Sequence, residues 1–334
     1  MGLPLMPFAI SSGDPAGIGP EIIAKSWLAR SKSGLHPFFA VGDANVFAAT
    51  TNAPIERIAS PAAAQHVFAD ALPVLHVHDG EVVVPGKPSL DGAQSALYAL
   101  EIAFGLTKSG EAGALVTGPV CKSQLQQIGF TYPGQTEFVS ERCGIARENA
   151  VMMLAGPELR VIPMTTHVAL SRVPELLTVS LVKARIVAAQ KAMQRNFGIK
   201  NPRIMVAGVN PHAGEQGRMG REEIDVMAPA IAEARDEGID VSGPASADSL
   251  FHADARAAYD VVLCAYHDQA LIPLKTLHFF DGVNMTLGLP IVRTSPDHGT
   301  AFDIAGQDKA DPRSMIAAIK MAEAASQHRQ LDAA

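Results

Sequence analysis

Residues 260–275 read DVVLCAYHDQALIPLK, and how that stretch is taken decides the fold. Val261-Val262-Leu263-Cys264-Ala265 is a short unbroken apolar run, as expected of a strand buried on both faces. It stops abruptly at Tyr266-His267-Asp268-Gln269. In an open parallel α/β sheet, ligands bind beyond the carboxyl ends of the strands. His267 and Asp268 therefore stand where chemistry is expected, with Lys275 a few residues on. Two further runs behave alike: 159–164, LRVIPM, leads into Thr165-Thr166-His167, and 203–208, RIMVAG, leads to Asn210-Pro211-His212. In a chain with 11 histidines, three at strand ends are either structural side chains or a ligand set. Neutral imidazole is a common zinc ligand, and three of them with an open position match a catalytic rather than a closed structural metal site.

Composition bounds the alternatives. At 334 residues the chain is long enough for two domains, and 48% hydrophobic with 18% charged residues describes a globular protein with a large core. A net charge of -7 gives no general attraction to nucleic acid or to an anionic membrane. Cys121, Cys143 and Cys264 are odd in number and lack CxxC spacing, which points to reduced thiols and a cytoplasmic setting. Residues 1–10 are apolar but too short and uncharged for a signal peptide, and no apolar run is long enough to span a membrane.

Strand and helix patterns alternate along the chain. A strand at 5–10 leads into the glycine-rich turn SGDPAGIGPE at 12–21, with Pro20 suited to the first turn of a helix that runs to about residue 30. Such a turn can cradle phosphate, but it is neither GxGxxG nor a P-loop, and a structural tight turn is an equal reading. Further strands are predicted at 37–42, 74–77, 113–117 and 289–293, and helices at 44–51, 92–108, 176–196, 222–237 and from Pro312 to about 327. The remainder of 52–90 reads as irregular and 240–250 as a connector. Thr136, in the turn YPGQTE at 132–137, either caps a short helix or meets a ligand. This alternation predicts an α/β class with largely parallel pairing.

Seven motifs, in order, carry a resemblance: SSGDPAGIGPEI at 11–22, VTGPVCK at 116–122, YPGQTEF at 132–138, TTHVAL at 165–170, NPHAGE at 210–215, YHDQALIPLK at 266–275 and TSPDHGTAFDIAG at 294–306. The chain closely resembles the 4-hydroxythreonine-4-phosphate dehydrogenase family of vitamin B6 synthesis. GDPAGIGPE and HGTAFDIAG are also similar to the opening turn and the adenine-side loop of isocitrate and isopropylmalate dehydrogenases. The resemblance implies two α/β domains with a cleft between them, one formed by 1–127 and 283–334, the other by 128–282. It also implies a homodimer whose active sites are shared between subunits.

Carried over by motif, His167, His212 and His267 are the metal ligands, with zinc first and cobalt, magnesium or manganese as further candidates. Gln135, Thr136, Lys275, Asn284 and Arg293 are the substrate contacts. Ser295, His298, Gly299, Thr300 and Asp303 are the contacts to NAD or NADP. Asp268 and Lys275 are the catalytic candidates for proton transfer, with Lys122 a further one, and Asp248 matches an acidic position near the metal. One departure stands out: the family's usual turn is GHTE, and this chain has Gln135 in place of the histidine.

The implied reaction is oxidation of 4-phosphohydroxy-L-threonine to 2-amino-3-oxo-4-phosphooxybutanoate, which decarboxylates to 3-amino-2-oxopropyl phosphate. A divalent ion held by neutral histidines lowers the substrate hydroxyl's pKa, and nicotinamide takes the hydride. The alternative is a paralogue that oxidises 4-phospho-D-threonate or 4-phospho-D-erythronate with the same clamp and cofactor.

Overall fold

The structure, a computed structural model, describes residues 5–333; residues 1–4, the start of the apolar N-terminal run, lie outside them. Its strands are β1 (Phe8–Ser11), β2 (Phe38–Gly42), β3 (Ile55–Ile58), β4 (Leu72–His76), β5 (Leu115–Thr117) and β6 (Val151–Ala155). They continue with β7 (Arg160–Pro163), β8 (Ile204–Ala207), β9 (Val241–Ala245), β10 (Val261–Cys264), β11 (Val283–Leu287) and β12 (Arg293–Pro296). The chain forms two compact units: one holds the chain up to Arg147 and again from Leu289, the other is Glu148–Gly288. From sequence, the junctions were expected at 127/128 and 282/283.

In the first unit the strand order is β3-β4-β2-β1-β5-β12, and every pair is parallel. β1 and β2 are buried at every position, as two-sided strands of a parallel sheet must be. The helix Leu90–Ser109 packs here because its inner stripe is small: Ala93, Ala96, Ala99 and Ala103 are all buried. Ser89 caps it by accepting from the Gly92 N–H at 3.0 Å, and left-handed Gly110 ends it. The first glycine-rich turn depends on Gly13, which has φ 72° and whose missing Cβ would overlap the Pro119 carbonyl. Gly13→Ala is therefore expected to destabilise the fold by about 3 kcal/mol, the sum of the left-handed penalty and the clash. Thermal unfolding checks this, and an unchanged midpoint would contradict it.

In the second unit the order is β11-β6-β7-β10-β8-β9. Pairs β7–β10, β10–β8 and β8–β9 are parallel, but β6–β7 and β6–β11 are antiparallel. The largely parallel pairing expected from sequence thus changes direction at β6. Only residues 156–159 separate β6 from β7, far too few for a parallel crossover. The core under β10 joins Leu154, Val161, Val262 and Cys264 to Ala270, Leu271 and Leu274 of the helix His267–Leu277. The long helix Val179–Phe197 is capped by Thr178, whose hydroxyl accepts from the Leu181 N–H at 3.2 Å, and it ends at left-handed Gly198.

Four strands were not foreseen and a fifth, β12, was misplaced. β3 lies in the stretch read as irregular, β9 in the stretch read as a connector, β6 in an unassigned segment and β11 in the loop expected from residue 281. The run 289–293 was read as a strand, yet the ladder begins only at Arg293.

Candidate active site

β7, β10 and β8 are neighbours and parallel, so their carboxyl ends open on one edge of the second unit's sheet. Each delivers its histidine there within a few residues: His167 after Pro163, His267 after Cys264 and His212 after Ala207. A hydrogen-bonded brace joins these strand ends. Thr165 Oγ1 donates to the Ala265 carbonyl at 2.8 Å. The Ala265 N–H donates to Gln269 Oε1 at 2.6 Å, and Gln269 Nε2 donates to the Gly208 carbonyl at 2.9 Å. Gln269 thereby ties the β10 end to the β8 end.

His167 and His267 come together, their ring centroids 5.5 Å apart, and both line a cavity of about 240 Å³ with Thr165, Tyr266 and Asp268. Asp268 Oδ1 lies 2.7 Å from His267 Nδ1. That contact holds the proton on Nδ1 and leaves Nε2 as the nitrogen able to ligate. His167 (φ 53°) and His212 (φ 51°) have left-handed backbones, which cost about 1–3 kcal/mol each in non-glycine residues and collect at functional sites.

The donor set has the right chemistry for a divalent ion: neutral imidazoles at adjacent strand ends, one oriented by a carboxylate. Among the described residues of one chain, however, no three His, Cys, Asp or Glu side chains converge on one point. His212 does not line the cavity. Asp248 accepts from Ser246 Oγ at 2.6 Å, and that bond, with His212 nearby, holds its carboxyl below the usual range. Lys275 is half-buried on the helix that His267 opens, seven residues after Asp268 and so on the same helical face. Asn284, on β11, keeps a buried Oδ1 without a hydrogen-bond partner.

The remaining substrate candidates belong to the first unit. Arg293, at the start of β12, is 3% exposed. Its Nη1 donates to Thr136 Oγ1 at 3.2 Å and its Nη2 to Thr117 Oγ1 at 2.7 Å. Burial pushes the guanidinium pKa down to about 10, with Glu137 opposing the shift. Thr136 is therefore not a helix cap: Gly134 precedes the helix Gln135–Arg142, and the Thr136 hydroxyl turns to Arg293. Gln135 Nε2 donates to the Gly118 carbonyl at 3.1 Å, while its buried Oε1 has no partner. Thr117, within VTGPVCK, carries no signal of its own in the sequence; its 2.7 Å contact with Arg293 is what singles it out. Lys122 lies beside this turn, 3.9 Å from where a Cβ on Gly134 would stand.

Residues 298–307 fasten to the first glycine-rich turn. The Ile18 N–H donates to the Thr300 carbonyl at 3.0 Å, and Gly17 has no Cβ because that same carbonyl would meet it. Glu21 accepts from Lys25 at 2.7 Å and from the Ala310 N–H at 2.9 Å, and Lys25 also donates to the Asp308 carbonyl at 3.0 Å. His298 Nδ1 meets the Gly299 carbonyl at 3.0 Å, and the Asp303 carbonyl accepts from Gln307 at 2.6 Å. Ser295 is buried in β12. The two motifs, far apart in sequence, are thus joined by hydrogen bonds within the first unit.

The family model described as pyridoxal phosphate biosynthetic protein PdxA matches residues 35–322. The chain belongs to the PdxA family. A 4-hydroxythreonine-4-phosphate dehydrogenase of Zymomonas mobilis is 53% identical over 326 residues, covering 98% of this chain and 97% of that protein. One from Caulobacter vibrioides is 50% identical over 322 residues, covering 95% and 96%. Among solved structures, the 4-hydroxythreonine-4-phosphate dehydrogenase of Klebsiella pneumoniae superposes with a TM-score of 0.87 at 39% identity, covering 97% of this chain and 98% of that one. A terephthalate 1,2-cis-dihydrodiol dehydrogenase from Burkholderia xenovorans gives 0.65 at 29% identity, covering 96% and 98%. The PdxA chain is thus an α/β oxidoreductase of pyridoxal phosphate biosynthesis. Among its described residues no helix is long and apolar enough to cross a membrane.

Proposed function

We propose that this PdxA chain oxidises 4-phosphohydroxy-L-threonine with NAD or NADP and a divalent metal ion. The product, 2-amino-3-oxo-4-phosphooxybutanoate, loses carbon dioxide to give 3-amino-2-oxopropyl phosphate. One observation carries this substrate class: a buried Arg293 guanidinium flanked by the Thr117 and Thr136 hydroxyls, a set of fixed donors suited to a phosphate. It occurs in a chain 53% identical to a relative named for this activity.

His167, His212 and His267 would hold the ion, which when bound supplies positive charge next to the substrate hydroxyl. Nicotinamide, held against residues 295–303, would accept the hydride from the carbinol carbon. Asp268 orients His267 and is the proposed acceptor of the hydroxyl proton. When the bond between carbon and carboxylate then breaks, its electrons pass toward the new ketone, and Lys275 returns a proton to carbon. Asn284, Gln135 and Thr136 would orient the polar groups of the substrate.

A homodimer with shared active sites is part of the same proposal. Large apolar side chains stand exposed near His167, on the helix that His267 opens and just beyond its end, namely Leu170 at 64%, Ile272 at 65% and Phe279 at 70%. A partner surface would cover them. The three cysteines are free, consistent with a cytoplasmic location.

Gln135 supports a second reading, 4-phospho-D-threonate or 4-phospho-D-erythronate as substrate, because an amide cannot carry the charge that a histidine can. A turnover assay decides. Nicotinamide absorbance is followed with each of the three substrates, with and without zinc, cobalt, magnesium or manganese. Metal-dependent reduction fastest with 4-phosphohydroxy-L-threonine is expected. Preference for a sugar acid transfers the chain to the second reading, and no reduction with any substrate refutes both.

A further inference from the structure

The turn that presents His212 is the most strained backbone among the described residues. His212, Ala213, Gly214, Glu215, Gln216 and Gly217 have φ of 51°, 50°, 76°, 42°, 59° and 87°, so six consecutive residues have positive φ and four of them carry a Cβ. Isolated residues adopt this conformation readily only when they are Gly, Asn or Asp. A run of this length persists only when its surroundings hold it.

The holding group is Glu223. Its side chain is 3% exposed, and it opens a π-helical turn, Glu223–Met227, of a kind that often marks functional sites. Its Oε1 accepts from the Asn210 N–H at 2.8 Å, and its Oε2 accepts from Asn210 Nδ2 at 3.0 Å. The carboxylate therefore grips both donors of Asn210, two residues before His212. It also fills the inside of the turn. A Cβ on Gly214 would stand 2.7 Å from Glu223 Oε2, and a Cβ on Gly208 would stand 3.1 Å from Oε1. Asn210 Nδ2 donates in addition to Glu222 Oε2 at 2.6 Å. Gly208 is the residue whose carbonyl Gln269 holds from the His267 side.

We infer that Glu223 is a positioning residue for His212: its buried carboxylate holds the left-handed turn that carries this proposed metal ligand. The inference rests on His212 being a metal ligand, as proposed above. Glu223 is bonded to Asn210 and packed against the turn, so its effect is read in metal affinity and not only in turnover.

Zinc affinity is measured by competition titration on tag-free, full-length protein stripped with a chelator. Glu223→Gln keeps the shape but points an amide N–H₂ at a donor. It is expected to weaken zinc binding about ten- to hundredfold, the usual effect of losing a group that orients a ligand. His212→Ala should weaken it further, and adding Glu223→Gln to His212→Ala should cost nothing more, because one acts through the other. Additive losses, or wild-type affinity in Glu223→Gln where His212→Ala has lost it, overturn the inference. Wild-type affinity in His212→Ala overturns the ligand assignment, and the inference falls with it. Should Glu223→Gln fail to fold, Asn210→Ala removes the side-chain donor and is read by the same titration. Hydrogen exchange over residues 208–217 of the stripped protein should quicken in either variant, and unchanged exchange also overturns the inference.

Discussion

Arg293→Met is expected to lower kcat/KM for the phosphorylated substrate by about a thousandfold while leaving the protein as stable as wild type or more so. The two halves of that expectation have different physical origins. A hydrogen bond to a charged group contributes about 1.5–3 kcal/mol, and a guanidinium fork on a phosphate makes two of them. At about 1.4 kcal/mol per factor of ten, the loss lies between roughly a hundred- and ten-thousandfold.

Stability moves the other way. The folded protein depresses the Arg293 pKa from its ordinary value to about 10, so the unfolded chain binds that proton more tightly. A cation whose folded pKa is depressed opposes folding in full below that pKa, and its penalty fades as pH rises from about 10 toward the ordinary guanidinium value. Replacing a buried charge with an apolar side chain of similar length removes that penalty. Arg293→Lys keeps a point charge without the fork and should recover only part of the activity. The checks are steady-state kinetics and thermal unfolding on the same preparations. If activity and stability fall together in proportion, Arg293 is a structural residue, and the phosphate role is lost.

How much of this was legible in sequence depended on how local each cause was. Strand β10 and the histidine beyond it are written in one continuous stretch, since an apolar run ending on polar residues needs no distant partner to be recognised. The edge strand β9 was missed because Ser242, Gly243 and Pro244 have little strand propensity; β8 alone holds it in register. At β12, Leu289 to Val292 supplied the apolar signal, yet Pro290 has no N–H and the ladder starts three residues later, at Arg293.

The same division runs through the site. The strand-end positions of His167, His212 and His267 are legible from the sequence, whereas their reading as metal ligands came from the resemblance. The left-handed turn at His212 was invisible, because positive φ in residues with a Cβ is imposed by Glu223, a tertiary partner. Thr117 and Arg293 are 176 residues apart, and no spacing rule joins them. The role of Thr136 changed for that reason too: a local cap motif yielded to a long-range guanidinium.

His267→Ala should abolish turnover, with kcat falling by about a thousandfold or more, and should release most of the bound divalent ion. His267 opens its helix at the end of β10, its ring 5.5 Å from that of His167 and its Nδ1 committed to Asp268. Removing the imidazole would take away one of the proposed ligating nitrogens and leaves Asp268 without that partner. Asp268→Asn separates the two effects. The amide oxygen can still accept from the ring N–H and preserve its tautomer, but the negative charge that makes Nε2 a better donor is gone. That variant should lose about ten- to hundredfold in metal affinity, far less than His267→Ala. If Asp268 also accepts the hydroxyl proton, its loss in kcat will persist at saturating metal, whereas a purely orienting Asp268 will be rescued by added metal. Metal content by elemental analysis and kcat at saturating zinc give both readouts. Full turnover by metal-free His267→Ala would remove the metal from the proposed reaction, leaving Arg293 and the cofactor loop to explain it.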